Sequence, residues 1–152
     1  MVCCFCVFPL SADTIESLPV SLPSIIPSLE KADPKLGVGL VSWSHNERFL
    51  LTRNDNMPSV VWVWDTQKPA LASLLVQLEA VRCAAWDPVR VRFAIATATS
   101  KLYLWSPEGC SIVDVPLQAG QTFNVRKLEW SPDGTCILLM DKNKFCCCYM
   151  RD

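Results

Sequence analysis

The chain has 152 residues, about one domain's worth, and its 14 basic and 15 acidic side chains leave a net charge of −1. That balance excludes an extended cationic footprint for nucleic acid or an anionic membrane surface. Hydrophobic residues make up 51% and charged residues 19%, against roughly 25% charged in typical domains. No run approaches the ~18 consecutive apolar residues of a membrane helix, so the apolar surplus must be buried against protein.

Met1 to Leu10 is apolar and rich in cysteine but has neither a basic n-region nor an A-x-A-like cleavage site, which argues against a secretory signal. Without one, the nine cysteines belong in a reducing, cytoplasmic compartment as thiols. Their clustering at Cys3, Cys4, Cys6 and Cys146, Cys147, Cys148 is unlike a disulfide framework. From residue 9 to 36, Pro9, Pro19, Pro23, Pro27 and Pro34 interrupt a Ser/Leu-rich stretch. Each proline lacks an N–H and fixes its own φ, which excludes a central strand. Residues 1–36 therefore read as a disordered N-terminus and linker.

From residue 37 onward a repeat organises the chain. Val41-Ser42-Trp43-Ser44, Ala84-Ala85-Trp86-Asp87-Pro88 and Leu128-Glu129-Trp130-Ser131-Pro132-Asp133-Gly134 place tryptophans 43 and 44 residues apart. About twenty residues after each tryptophan comes a strand-like run ending near an aromatic: Val60 to Asp65, Lys101 to Ser106, and Lys144 to Tyr149. Further β-branched or apolar runs lie between and after these marks, bounded by Pro, Gly, Asn or Asp. The pattern predicts strands near 39–44, 48–53, 60–64, 70–76, 81–86, 92–97, 101–105, 111–116, 125–130, 136–140 and 144–149. Four short strands per ~43 residues is the period of a propeller blade. The fold class is thus all-β, a partial propeller with blades at about 37–78, 79–119 and 123–152, the last lacking a strand. Runs such as Phe93-Ala94-Ile95-Ala96 lack polar alternation, as a sheet covered on both faces requires. Trp43, Trp64, Asp65, Trp86, Trp105, Trp130 and Tyr149 are the expected blade anchors.

These marks resemble the WD-repeat superfamily. Trp64-Asp65 is its literal dipeptide, Trp105-Ser106 and Tyr149-Met150 are drifted copies, and Trp130 to Gly134 is its usual strand-and-turn signature. No Gly-His dipeptide precedes any blade, and Pro58, Thr99 and Asn143 stand where the turn aspartate is expected. The His–Asp tetrad of a standard blade therefore cannot form, leaving packing to hold the blades. Residues 37–65 and Leu102 to Cys110 further resemble the eukaryotic family of centrosomes and spindle poles known as WD repeat-containing protein eight. The resemblance covers residues 35–149 and implies a non-catalytic scaffold acting with a coiled-coil centriolar-satellite partner. Its implied roles are microtubule anchoring, spindle organisation and cilium assembly. Members are full propellers several times longer, so a non-functional truncated product is an alternative reading.

No residues suggest an active site, cofactor or small-molecule substrate. His45, the single histidine, sits in the polar turn Ser44 to Glu47. Cys3-x-x-Cys6 has zinc-like spacing, but a closed structural site needs four ligands. Cys146 and Cys148 share one face of a strand and read as small core residues. A cysteine-based metal or redox protein is the alternative of a different class. Arg82, Arg90, Arg92 and Lys101 form the nearest approach to a basic patch and read as solvated loop and strand edge.

Overall fold

In a computed structural model, residues 4–7, 13–14, 21–28, 30, 32, 34–115 and 122–150 are described, the first two segments by their backbone pairing alone. All regular elements among them are strands: β1 (Cys4–Val7), β2 (Asp13–Thr14), β3 (Val38–Trp43), β4 (Phe49–Asn54), β5 (Val60–Asp65), β6 (Ala70–Val76), β7 (Val81–Trp86), β8 (Phe93–Thr97), β9 (Lys101–Ser106), β10 (Gly109–Asp114), β11 (Lys127–Trp130), β12 (Cys136–Met140) and β13 (Phe145–Tyr149). β3 to β13 coincide with the eleven expected strands to within two residues. The largest shift is at β10, which starts at Gly109. Pro107 and Glu108 alone connect Ser106 to Gly109, and Gly109 adopts φ 148°, a conformation favouring glycine.

The strands form three sheets, in the orders β2-β1-β6-β5-β4-β3, β10-β9-β8-β7 and β11-β12-β13. β3 to β6 and β7 to β10 are four-stranded antiparallel meanders, and β11 to β13 is the same meander with three strands among the described residues. The chain divides into two compact units, one carrying the first sheet and the other the second and third.

Residues 1–36 were expected to be disordered, yet they contain β1 and β2. Cys4 to Val7 pairs in parallel with Ser73 to Val76, and Asp13–Thr14 pairs with the far side of β1. The meander leaves the outer edge of β6 with unpaired N–H and C=O groups, and a short apolar segment can satisfy them. Within the proline-rich stretch, the Ile25 N–H donates to the Asn56 carbonyl at 2.7 Å. Pro9 and Pro19 lie outside the described residues.

In the first unit the core is formed by Phe49, Leu51, Val60, Val61, Val63, Leu74 and Leu75. In the second, Ala94, Ala96 and Leu102 of one sheet join Leu128, Ile137 and Leu139 of the other, with Val115, Phe123 and Val125 from the connecting segments. Small residues on β8 against large ones on β12 allow the two sheets to interdigitate.

Among the described residues nothing covers the opposite face of the third sheet. Phe145 and Tyr149 are 74% and 77% exposed, flanking exposed Cys147 and half-buried Leu138 and Met140. An apolar face of this kind promotes association. The purified chain is therefore expected to self-associate or aggregate in gel filtration with light scattering, and Phe145→Lys with Tyr149→Lys should reduce this. A monodisperse wild-type monomer of 17.0 kDa with a cooperative melt would contradict that expectation.

Candidate protein-interaction surfaces

Register decides which aromatic residues meet. Trp86 lies opposite Phe93, and Phe93 opposite Trp105, making one aromatic row across the second sheet. Phe93 and Trp105 stack at 5.0 Å, and Trp86 meets both rings edge-on at 4.8 and 5.9 Å. Trp86 and Trp105 are buried, 9% and 4% exposed. The matching rows are Trp43-Leu50-Trp64-Leu71 in the first sheet and Trp130-Ile137-Cys148 in the third.

Three expected anchors are corrected by these rows. Trp43 and Trp64 are 54% and 39% exposed. In the third sheet the row faces the second sheet, whereas in the first nothing among the described residues covers it. Trp64 still donates its indole N–H to Thr52 Oγ1 at 2.9 Å. Tyr149 is not the counterpart of Trp105: the residue opposite Ile137 is Cys148, and Tyr149 sits opposite Cys136 on the exposed face. A slip of one residue moves a side chain to the other face of a sheet.

Trp130 is half-buried and ties the third sheet to the second through its indole N–H, which donates to the Ala85 carbonyl at 3.0 Å. Beside it, Asp87 is fully buried. Its Oδ1 accepts the Val89 and Arg90 N–H groups at 2.8 and 3.0 Å, and its Oδ2 accepts Arg92 Nε at 2.6 Å. Arg92 continues to the third sheet, donating to the Gly134 carbonyl at 3.0 Å and lying 5.1 Å over the Trp130 ring. Arg92 is therefore a link between sheets rather than a solvated edge residue, and packing is not the sole force joining them. In the first sheet Arg48 donates to the buried Asp65 at 2.9 Å, and this hydrogen bond holds the Asp65 carboxyl below its usual range. The sequence signal for the link through Asp87 and Arg92 was an aspartate and an arginine flanking one turn; Arg48 and Asp65 lie 17 residues apart and meet only through the pairing of β4 with β5.

Cys146 and Cys148 pack against the core between the second and third sheets. Burial pushes the Cys83 thiol up to about 11 and raises Cys148 in the same direction, so both stay protonated near neutrality. Among the described residues no three His, Cys, Asp or Glu side chains gather in a metal-binding group. Cys3 lies outside the described residues. His45 is exposed in the β3–β4 turn.

Two surfaces stand out as contact sites: the face of the first sheet that carries the uncovered row, with exposed Val41, Trp43 and Trp64, and the Phe145–Tyr149 face of the third. No helix among the described residues is long and apolar enough to cross a membrane.

The meander sheets, their aromatic rows and the tryptophan-dipeptide strand ends define a class. The chain belongs to the WD-repeat superfamily, and its fold is a partial β-propeller. It is 43% identical to mouse WD repeat-containing protein WRAP73 over 137 residues, which is 90% of this chain and 29% of that protein. Protein HIR1 of Cryptococcus neoformans is 28% identical over 102 residues, covering 64% of this chain and 11% of HIR1. A chain of the crystal structure of the mitotic checkpoint complex superposes with a TM-score of 0.58 at 18% identity, covering 82% of this chain and 39% of that one. No family model matches. The chain thus spans under a third of the length of the curated relatives it matches.

Two mutational outcomes follow. Trp105→Ala should cost ~3–5 kcal/mol, as truncation of a buried aromatic does. Trp64→Ala should cost only ~1–2 kcal/mol, the loss of one hydrogen bond and partial packing. Paired melting curves in the Phe145→Lys, Tyr149→Lys background would show this difference, and equal losses would contradict the burial pattern. Arg92→Ala should destabilise by ~3–5 kcal/mol, because it leaves the Asp87 carboxylate buried without its cation. Gly134→Ala should also destabilise, since Gly134 has φ 69° and an added Cβ would lie 2.5 Å from Asp87 Oδ1. Urea titration of both variants checks the pair, and wild-type midpoints would refute the link.

Proposed function

We propose that this chain is a non-catalytic protein-interaction scaffold that works at the centrosome and spindle pole. The observation that carries the reading is the uncovered face of the first sheet that presents Val41, Trp43 and Trp64. Large amphipathic aromatics exposed on a rigid β-framework are the side chains that dominate protein–protein contacts. The finer assignment is supported by the resemblance of residues 37–65 and 102–110, which implies microtubule anchoring, spindle organisation and cilium assembly beside a coiled-coil satellite partner. WD-repeat propellers generally act as scaffolds, and the described residues offer no convergent nucleophile and base.

The test is to tag the full-length protein that carries these blades and follow it through interphase and mitosis, with proximity labelling of its neighbours. Concentration at spindle poles, with coiled-coil proteins among the labelled neighbours, is the expected result. Diffuse signal in both phases would refute the assignment. Trp43→Ser should weaken partner labelling without lowering protein level, because its ring is exposed.

A further inference from the structure

A groove of about 510 Å³ opens at one end of the second and third sheets, lined by Arg82, Ala98, Asn124, Val125 and Arg126. Arg82 is the second residue of β7. Val81 pairs with Thr97 and Cys83 with Ala96, so Arg82 is the extra residue of a β-bulge. A bulge re-aims the side chain it carries. The first sheet has the same bulge between Val38 and Leu40, but there the extra residue is Gly39. A Cβ on Gly39 would lie 2.0 Å from Asp55 Oδ1, and Asp55 is held by Arg53 at 3.1 Å. The repeated bulge is thus closed by its own turn in the first sheet. In the second, Ala98 follows β8 and leaves the space open to a long cationic side chain.

Across the groove, Arg126 is fixed by its backbone N–H, which donates to the Met140 carbonyl at 2.8 Å. Its Nε lies 3.5 Å from Asp141 Oδ1. The Lys142 and Asn124 N–H groups donate to Asp141 at 2.7 and 3.2 Å and hold its carboxyl below the usual range, so it stays ionised. Arg82 is exposed and has no ion pair or hydrogen bond among the described residues. Two guanidinium groups and one carboxylate leave a single net positive charge at the groove.

We infer that this groove binds an extended, acidic peptide segment of a partner protein, through one glutamate or aspartate carboxylate held between Arg82 and Arg126. This deepens the scaffold reading and rests on it. The guanidinium fork matches a carboxylate with two parallel hydrogen bonds. The groove is too large for that group alone, and Ala98 and Val125 supply an apolar floor for the side-chain stem and its neighbours. The fixed Asp141 carboxylate selects a monoanion over a phosphate dianion, because the added negative charge would meet it without a further cation.

The test is fluorescence anisotropy of the purified full chain, kept dispersed by Phe145→Lys and Tyr149→Lys, with a labelled peptide of alternating glutamate and alanine, beside its glutamine counterpart. The glutamate peptide should bind, and more weakly as salt rises. Arg82→Ala and Arg126→Ala should each lower its affinity about tenfold with unchanged melting curves, and Arg82→Lys should restore part of the loss. Equal binding of the glutamine peptide, wild-type affinity in Arg82→Ala, or tighter binding of a phosphoserine peptide would each overturn the proposal. Loss of peptide binding while spindle-pole concentration and partner labelling persist would strike the groove alone. Peptide binding with the expected arginine dependence supports the groove even where the spindle-pole assignment fails.

Discussion

A sheet with apolar side chains on both faces pairs its backbone internally except at its edges, but it cannot cover its faces alone. This constraint governs the chain. In the second sheet Phe93 to Ala96 is wholly buried, a run that would be unstable on a half-exposed sheet. The third sheet meets the need on one side only, with Ile137 and Leu139 inside and Phe145 and Tyr149 outside. Uncovered faces are thus a direct consequence of repeat architecture, in which each unit relies on its neighbour for part of its core. The same surfaces that limit stability are the ones available for contact.

Burial alone does not fix how one sheet sits on the next, because hydrophobic contact is non-directional. Orientation comes from the few polar groups carried into the boundary. Asp87, which accepts three N–H groups from its own turn, sets the turn after β7 and aims Arg92 across to Gly134 and Trp130. Glycine at 134 is required twice over, by its positive φ and by the closeness of Asp87. The equivalent slot in the first sheet is Glu47, which adopts φ 58° without being glycine.

The strand pattern was legible because turn residues and tryptophans recur at a near-constant period, and both act locally. What was not legible depended on facing neighbours. Trp43, Trp86 and Trp130 have the same sequence setting, yet only Trp86 and Trp130 gain cover. Tyr149 matched Trp105 by spacing, but the pairing of Ile137 with Cys148 displaced it by one residue, and aromatic identity carried no information on register. The pairing of β1 with β6 is parallel and joins segments some seventy residues apart, beyond the reach of local propensity. Arg92 looked like surface charge because nothing in its own turn shows that Gly134 lies within reach.

Repetition also offers a way to find sites. Where two repeats share a backbone device, their packing needs are met in common, and a side chain present in one alone must be explained by its own surroundings. The bulge at Gly39 and at Arg82 is such a pair. In the first sheet it is filled by Asp55, so any side chain there would clash. In the second the same bend carries a guanidinium, which stabilises no core and makes no ion pair among the described residues. A second guanidinium lining the same groove as Arg126 adds electrostatic repulsion that the single Asp141 carboxylate only half offsets. An anion from outside the chain would remove the rest of that repulsion, and this adds a polar contact at the strand ends to the apolar contacts of the sheet faces.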